Sequence, residues 1–244
     1  MKNLFNIPIS NIRYGGRDVL YIKLGGDIIY DTATLYIHGF DANGNMIITG
    51  GEFTGTNARN VRTIVNNTHT NLGSMLNNCY NLISVNTEDW DTSNVTNMGY
   101  MLQSCSSLTK LNLSNFNTGK VTNMRMMFGS CTKLQSLDLS SFDTSKVTDM
   151  QQMFGGCTKL QVLYLSNFDT SSIDDYGTNY MFIRCDSLQE LHLDNCSTDT
   201  INKIVTSLGF PTGTVNGKKR TLYCRKGNSY DVMLPTDWQF SYID

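Results

Sequence analysis

The spacing of the cysteines constrains this chain more than any other feature. Cys79, Cys105, Cys131 and Cys157 stand 26 residues apart, and Cys185 follows after 28. The residues between them repeat as well. Residues 134–159 read LQSLDLSSFDTSKVTDMQQMFGGCTK, and residues 108–133 read LTKLNLSNFNTGKVTNMRMMFGSCTK. Leu160 opens a further copy. A fixed period of roughly 20–50 residues marks a repeat architecture, in which each unit buries its apolar face only against its neighbours.

Within one copy three patterns succeed one another. Leu137 and Leu139 alternate with Asp138, so the two leucines share one face of a strand and Asp138 takes the other. Phe142 then turns inward ahead of Asp143-Thr144-Ser145, short polar residues that bond their own backbone and favour turns. Met150, Met153, Phe154 and Cys157 fall at i, i+3, i+4 and i+7. That spacing predicts a helix of about two turns, capped by Thr148 or Asp149 and loosened at its end by Gly155-Gly156. A single copy cannot bury enough apolar surface to offset the ordering of its own backbone. Neighbouring copies must therefore stack, at the strand spacing of about 4.8 Å.

The pattern LxxLxLSxF(D/N)TSxVT(D/N)MxxMFxxC resembles the BspA-like branch of the leucine-rich repeats, over roughly residues 59–210. The resemblance implies an α/β repeat, a right-handed leucine-rich-repeat solenoid of about six rungs, and roles in adhesion or recognition at bacterial surfaces. It brings no catalytic residues and no cofactor. Residues 55–210 are then the solenoid, residues 1–54 an N-terminal β module and residues 211–244 a C-terminal β cap.

The composition fits a β-rich surface scaffold. Charged residues are only 16% of the chain, while Asn, Thr and Ser together make up about 30%. With a net charge of −2 there is no basic excess to hold nucleic acid. No run of about 18 apolar residues is present, so no membrane span is expected. Of the seven cysteines, five share one repeat column beside Met and Phe. They are expected to be small buried hydrophobes; an odd stacked set pairs poorly as disulfides, and CxxC spacing for zinc is absent.

The two ends depart from the period. Residues 18–24 alternate, Gly25-Gly26 turns and residues 28–30 continue, a hairpin; residues 34–39 and 45–49 flank Asp41-Ala-Asn-Gly44 as a second. Residues 9–31, IxxIRYGGRDVLYIKLGGDIIYD, resemble a short β module near the ends of phage tail and other virion proteins. That resemblance implies attachment to other virion proteins through residues 1–54. The opening residues lack the apolar run of a secretory signal. This agrees with assembly of a virion in the host cytoplasm; the alternative is a BspA-like bacterial surface adhesin whose export signal has been removed. Virion proteins are commonly symmetric homo-oligomers, although no heptad pattern identifies a symmetry.

After the first strand-like stretch, Ile64, Leu72, Met75, Leu76 and Cys79 occupy the inward columns of a degenerate first rung. Trp90 replaces the column Phe of Phe116, Phe142 and Phe168, and the two extra residues of the fourth rung fall near 174–177 as a bulged loop. Ile201, Ile204, Val205 and Leu208 predict a helix capped by Asp199 or Thr200. Residues 221–224 and 238–243 read as strands closing the sheet.

Comparing the copies separates scaffold from surface. Leu111, Leu137, Leu163 and Leu191 hold one inward column, and Val95, Val121, Val147 and Ile173 another. The outward positions vary: Asn112, Asp138, Tyr164 and His192 in one column, Lys110, Ser136, Val162 and Glu190 in the other. A partner, a protein or surface glycan of a bacterial host, is expected on this face, at Lys110, Asn112, Asp138, Tyr164, Glu190 and His192. Ordinary solvated drift explains the same variation. Glu190, His192 and Asp194 share a strand face as a metal trio would, but such residues are far more often solvated. The three histidines, His38, His69 and His192, lie in separate elements, and no nucleophile turn, phosphate loop or GxGxxG is present. Catalysis is not expected, and no carboxylate pair in a cleft is evident for glycan cleavage.

Overall fold

The computed structural model describes residues 70–87, 90–225 and 233–243, and as backbone alone the strands within residues 23–62. These strands are β1 Lys23–Leu24, β2 Asp27–Ile28, β3 Ile37–Phe40, β4 Met46–Ile48 and β5 Asn60–Arg62. β1 pairs antiparallel with β2, and β3 with β4, at both expected hairpins. Ile64 and the remainder of residues 1–54, including their assignment as an attachment module, lie outside the described residues.

From β5 onward the strands pair in parallel. β5 pairs with β6 Ser84–Asn86, and Ser84 in turn with Lys110. A five-stranded parallel sheet follows, in the order β11-β10-β9-β8-β7. It is built from β7 Ser136–Asp138, β8 Val162–Tyr164, β9 Glu190–His192, β10 Arg220–Arg225 and β11 Trp238–Ile243. Each short strand buries its middle leucine, Leu137, Leu163 or Leu191, and turns its two neighbours outward. One helix, α1 Thr198–Val205, is found among the described residues. A mostly parallel sheet with little helix makes this an α/β-type fold.

The wall opposite the sheet corrects the helix expected over residues 150–157. It is a succession of β-turns. Met153 N–H bonds Met150 O at 3.1 Å and Cys157 N–H bonds Phe154 O at 3.0 Å. The third residues of these turns, Gln152 and Gly156, have φ of 54° and 78°, the geometry of a type II turn. Between the turn bonds, every second N–H points to the next copy. Met124, Met126, Phe128 and Ser130 donate to the carbonyls of Asp149, Gln151, Met153 and Gly155 at 2.7–3.0 Å. A helix would close these N–H groups within itself. The apolar spacing serves either structure, and the stacked neighbour decides between them.

The core fills the space between the two walls in columns. Phe128, Phe154 and Phe182 stack with ring centroids 5.7 Å apart, and Phe210 then closes edge-on beside Trp238. Trp90 heads the second column above Phe116 and Phe142, at 5.7 and 6.3 Å, as its repeat position implies. All seven cysteines are free and buried. They also serve as donors: Cys105, Cys131, Cys157 and Cys185 point Sγ at the carbonyls of Leu76, Leu102, Phe128 and Phe154, at 3.1–3.2 Å.

A second polar ladder is built by the threonines of the expected turn. Thr118 and Thr144 are buried. Thr144 Oγ1 donates to Asp169 O at 2.9 Å and accepts from Asp169 N at 2.7 Å. Thr118 treats Asp143 in the same way. The hydroxyl thus stands in for a strand where the backbones themselves do not pair. Beside it Asp143 Oδ1 accepts from the N–H and hydroxyl of Ser145, and these bonds hold its carboxyl below the usual range.

The longer copy and the C-terminal end bring the remaining departures. At the bulge, Asp174 Oδ1 accepts from the N–H groups of Tyr176 and Gly177, and Gly177 O receives Met150 N–H, so the sheet-like register resumes. α1 is capped by Ser197, whose hydroxyl accepts from Thr200 N, two or three residues before the expected Asp199 or Thr200. Arg220, buried at the start of β10, donates to the carbonyls of Asp186, Leu188, Thr212 and Gly213. It finishes the last copy by satisfying its orphan acceptors.

Candidate recognition face

Register places the outward residues of the sheet in two rows. One runs Ser136, Val162, Glu190, Thr221, Gln239, the other Asp138, Tyr164, His192, Tyr223, Ser241. In the second row three rings stand side by side, one per strand. His192 lies between Tyr164 and Tyr223 with ring centroids 4.2 Å from each, tilted 25° and 3°. Parallel in-register strands hold side chains of one row near van der Waals spacing, so flat rings stack without further help.

Carboxylates flank this stack. Glu190 Oε2 is 3.7 Å from His192 Nε2, and Asp194 Oδ2 is 3.9 Å from His192 Nδ1. Asp194 Oδ2 also accepts from Ser166 Oγ at 2.8 Å. His192 Nε2 and Asp194 Oδ1 are shielded from solvent without a hydrogen-bond partner. Burial, with Glu190 and Tyr164 nearby, pushes the Tyr223 phenol up.

The six residues singled out by the repeat comparison do not form one cluster. Tyr164, Glu190 and His192 meet in the stack, and Asp138 lies beside it at the end of β7, its Oδ1 bonded to Ser140 N and Oγ at 2.9 and 2.6 Å. Lys110 and Asn112 stand on the copy before β7, outside the five-stranded sheet. Asn112 spends its side-chain oxygen on Ser114 N. Tyr223 is the member the repeat comparison missed, because β10 follows β9 at an offset of 31 residues rather than 26. The alternation of residues 221–224 was its only signal.

A second concavity lies where the bulge faces α1. This cleft of about 300 Å³ is lined only by polar residues, among them Asp175, Asn179, Asp199, Asn202 and Lys203. It brings together two carboxylates far apart in the chain, contrary to the expectation that no cleft does. Both are exposed. Lys203 Nζ is committed to Ile173 O at 2.6 Å. No apolar wall adjoins them of the kind that keeps a glycosidase carboxyl protonated. Among the described residues no group of His, Cys, Asp and Glu is arranged to hold a metal, and no helix is long and apolar enough to cross a membrane.

Stacked turns joined by a parallel sheet define the class, a repeat protein of α/β type. The family model described as a Mycoplasma protein of unknown function, DUF285, matches residues 70–196, 127 of the 244 residues, and the chain belongs to that family. The match accords with the BspA-like resemblance at the level of the family. No curated protein and no solved structure matches the chain.

Proposed function

We propose that the chain is a non-enzymatic recognition protein, a leucine-rich-repeat solenoid of about six rungs that presents the β7–β11 face to a protein or glycan of a bacterial surface. One observation carries this reading. The inward columns repeat with little change, whereas the outward rows of the same strands gather Tyr164, His192 and Tyr223 into a half-buried aromatic stack. Large rigid rings with polar tips are the side chains that anchor recognition surfaces. The setting we propose is a phage virion, joined through residues 1–54, as the resemblance of residues 9–31 suggests. A bacterial surface adhesin is the second reading, favoured by a family whose description names a bacterium.

Screening the full chain against immobilised surface proteins and glycans tests recognition. Tyr164→Ala and Tyr223→Ala are expected to lose the captured partner while keeping the circular dichroism of the native chain. Capture that survives both substitutions refutes the assignment of this face. Deletion of residues 1–54 tests the setting. A folded remainder that no longer joins a virion supports attachment there, and one that cannot fold makes those residues a cap and removes the virion reading.

A further inference from the structure

The charge of the face names the chemistry of its partner, and this inference rests on the recognition reading above. In the two outward rows of the sheet the formal charges are Asp138 and Glu190, both negative, and no Lys or Arg stands among them. Asp194 adds a third carboxylate beside His192. Of the exposed cations, Lys110 stands on the preceding copy and Arg225 two residues beyond Tyr223 on β10.

At each end of the stack the next residue of the row is short. Tyr164 looks across to Asp138 and Tyr223 to Ser241. Asp138 is exposed beside Tyr164 in the row, and Ser140 takes its Oδ1. A cation seated there meets an aromatic face and a carboxylate together, and both attract it. Glu190, on β9 two strands from Asp138, offers a second carboxylate, with Val162 and Thr221 as its row neighbours.

We propose that this face binds a basic peptide segment, with one Lys or Arg placed between Asp138 and Tyr164 and another against Glu190. A neutral glycan would use the rings but leave the carboxylates without a cationic partner, and an acidic partner would be repelled. Charge complementarity therefore selects a protein partner rather than a sugar.

The test uses the full chain and three labelled probes: a short peptide alternating Arg with Ser, its Glu–Ser counterpart, and a neutral chitin oligosaccharide. Fluorescence anisotropy is expected to show binding of the basic peptide that weakens as salt is raised. Its affinity should fall about tenfold or more in the pair Asp138→Asn with Glu190→Gln, and likewise in Tyr164→Ala. Asp175→Asn, which removes a carboxylate on the bulge, should leave affinity unchanged and so exclude a general charge effect. Basic-peptide binding that ignores the face variants, or no such binding, overturns the proposal. Oligosaccharide binding that Tyr164→Ala abolishes overturns it too, while leaving the recognition reading intact.

Discussion

Thr144→Val isolates the hydroxyl ladder from the hydrophobic core. Valine copies the shape of threonine, and the site is fully buried, so packing is nearly unchanged. What disappears is a donor 2.9 Å from Asp169 O and an acceptor 2.7 Å from Asp169 N. Each backbone group left without a partner costs about 1–3 kcal/mol where water cannot replace the bond. Water reaches one side of this position, because Asp169 is only half-buried, so the sum should lie near the lower end, at about 2–4 kcal/mol. That is a large share of a typical total of about 5–15 kcal/mol.

Thr144→Ser supplies the control. It keeps both hydrogen bonds and removes one methyl, a loss of about 1 kcal/mol. Urea unfolding followed by Trp fluorescence measures both, with the slope checked for constancy so that the midpoints report stability alone. The double variant with Thr118→Val should show coupling, since the two threonines act on adjacent copies that share the residues 143–144 segment. Valine tolerated to within about 0.5 kcal/mol, or serine as harmful as valine, would refute the ladder as a structural element.

Three further outcomes follow from the geometry. Leu137→Ala should cost about 2–5 kcal/mol by opening a cavity in a stacked column, whereas exposed Asp138→Ala should stay within about 0.5 kcal/mol; equal losses in urea would mean the two faces are misassigned. Gly177→Ala should cost about 1–3 kcal/mol in the same assay, since its new methyl would overlap Ile173 and lie 2.7 Å from Thr148 O; Gln152→Gly, relieving a φ of 54°, should instead gain about 0.5–1 kcal/mol. Burial pushes the Cys157 and Cys196 thiols up to about 12 and Cys224 up to about 11, against about 8.5 in an unfolded chain. Their contribution is thus fully present below about pH 8.5 and is lost as pH rises toward 12, roughly 2 kcal/mol per thiol by pH 10. Cys157→Ala should lose less stability than the native chain across that window, and parallel curves would contradict it.

The inward columns were legible from the period alone, because burial leaves few residue types that fit. Leu137, Phe142, Val147, Phe154 and Cys157 all lie where their repeat positions put them. The backbone of the turn wall was not legible. Apolar residues at 150, 153, 154 and 157 suit one face of a helix equally well, and what excludes the helix is a hydrogen-bond partner in another copy, which spacing within one copy cannot express. Thr144 was misjudged for a related reason. Its sequence neighbours, Asp143 and Ser145, do form the expected local turn, but its own partner is 25 residues away. The cap of α1 lies two or three residues before the expected Asp199 or Thr200 because Ser197, Asp199 and Thr200 are all competent cap residues.

The face shows where repetition helps function and where it cannot. A perfect repeat would place the same side chain in every row position and give a uniform ladder, with nothing to distinguish one part of the surface from another. This chain keeps Leu137, Leu163, Leu191 and Leu222 inward in register, so the strands stay about 4.8 Å apart whatever lies outside. On that rigid spacing Asp138, Tyr164, His192 and Tyr223 differ from one another, and the spacing turns three of them into a stack without a dedicated fold. Tyr223 comes from beyond the periodic region, on β10. The stack therefore forms only where the irregular end docks onto the last regular copy, through Leu222 beneath and Arg220 at the edge. Arg220→Ala should for this reason loosen the Tyr223 end of the stack before it disturbs the regular copies, a sequence that hydrogen exchange on β10 against β8 can follow.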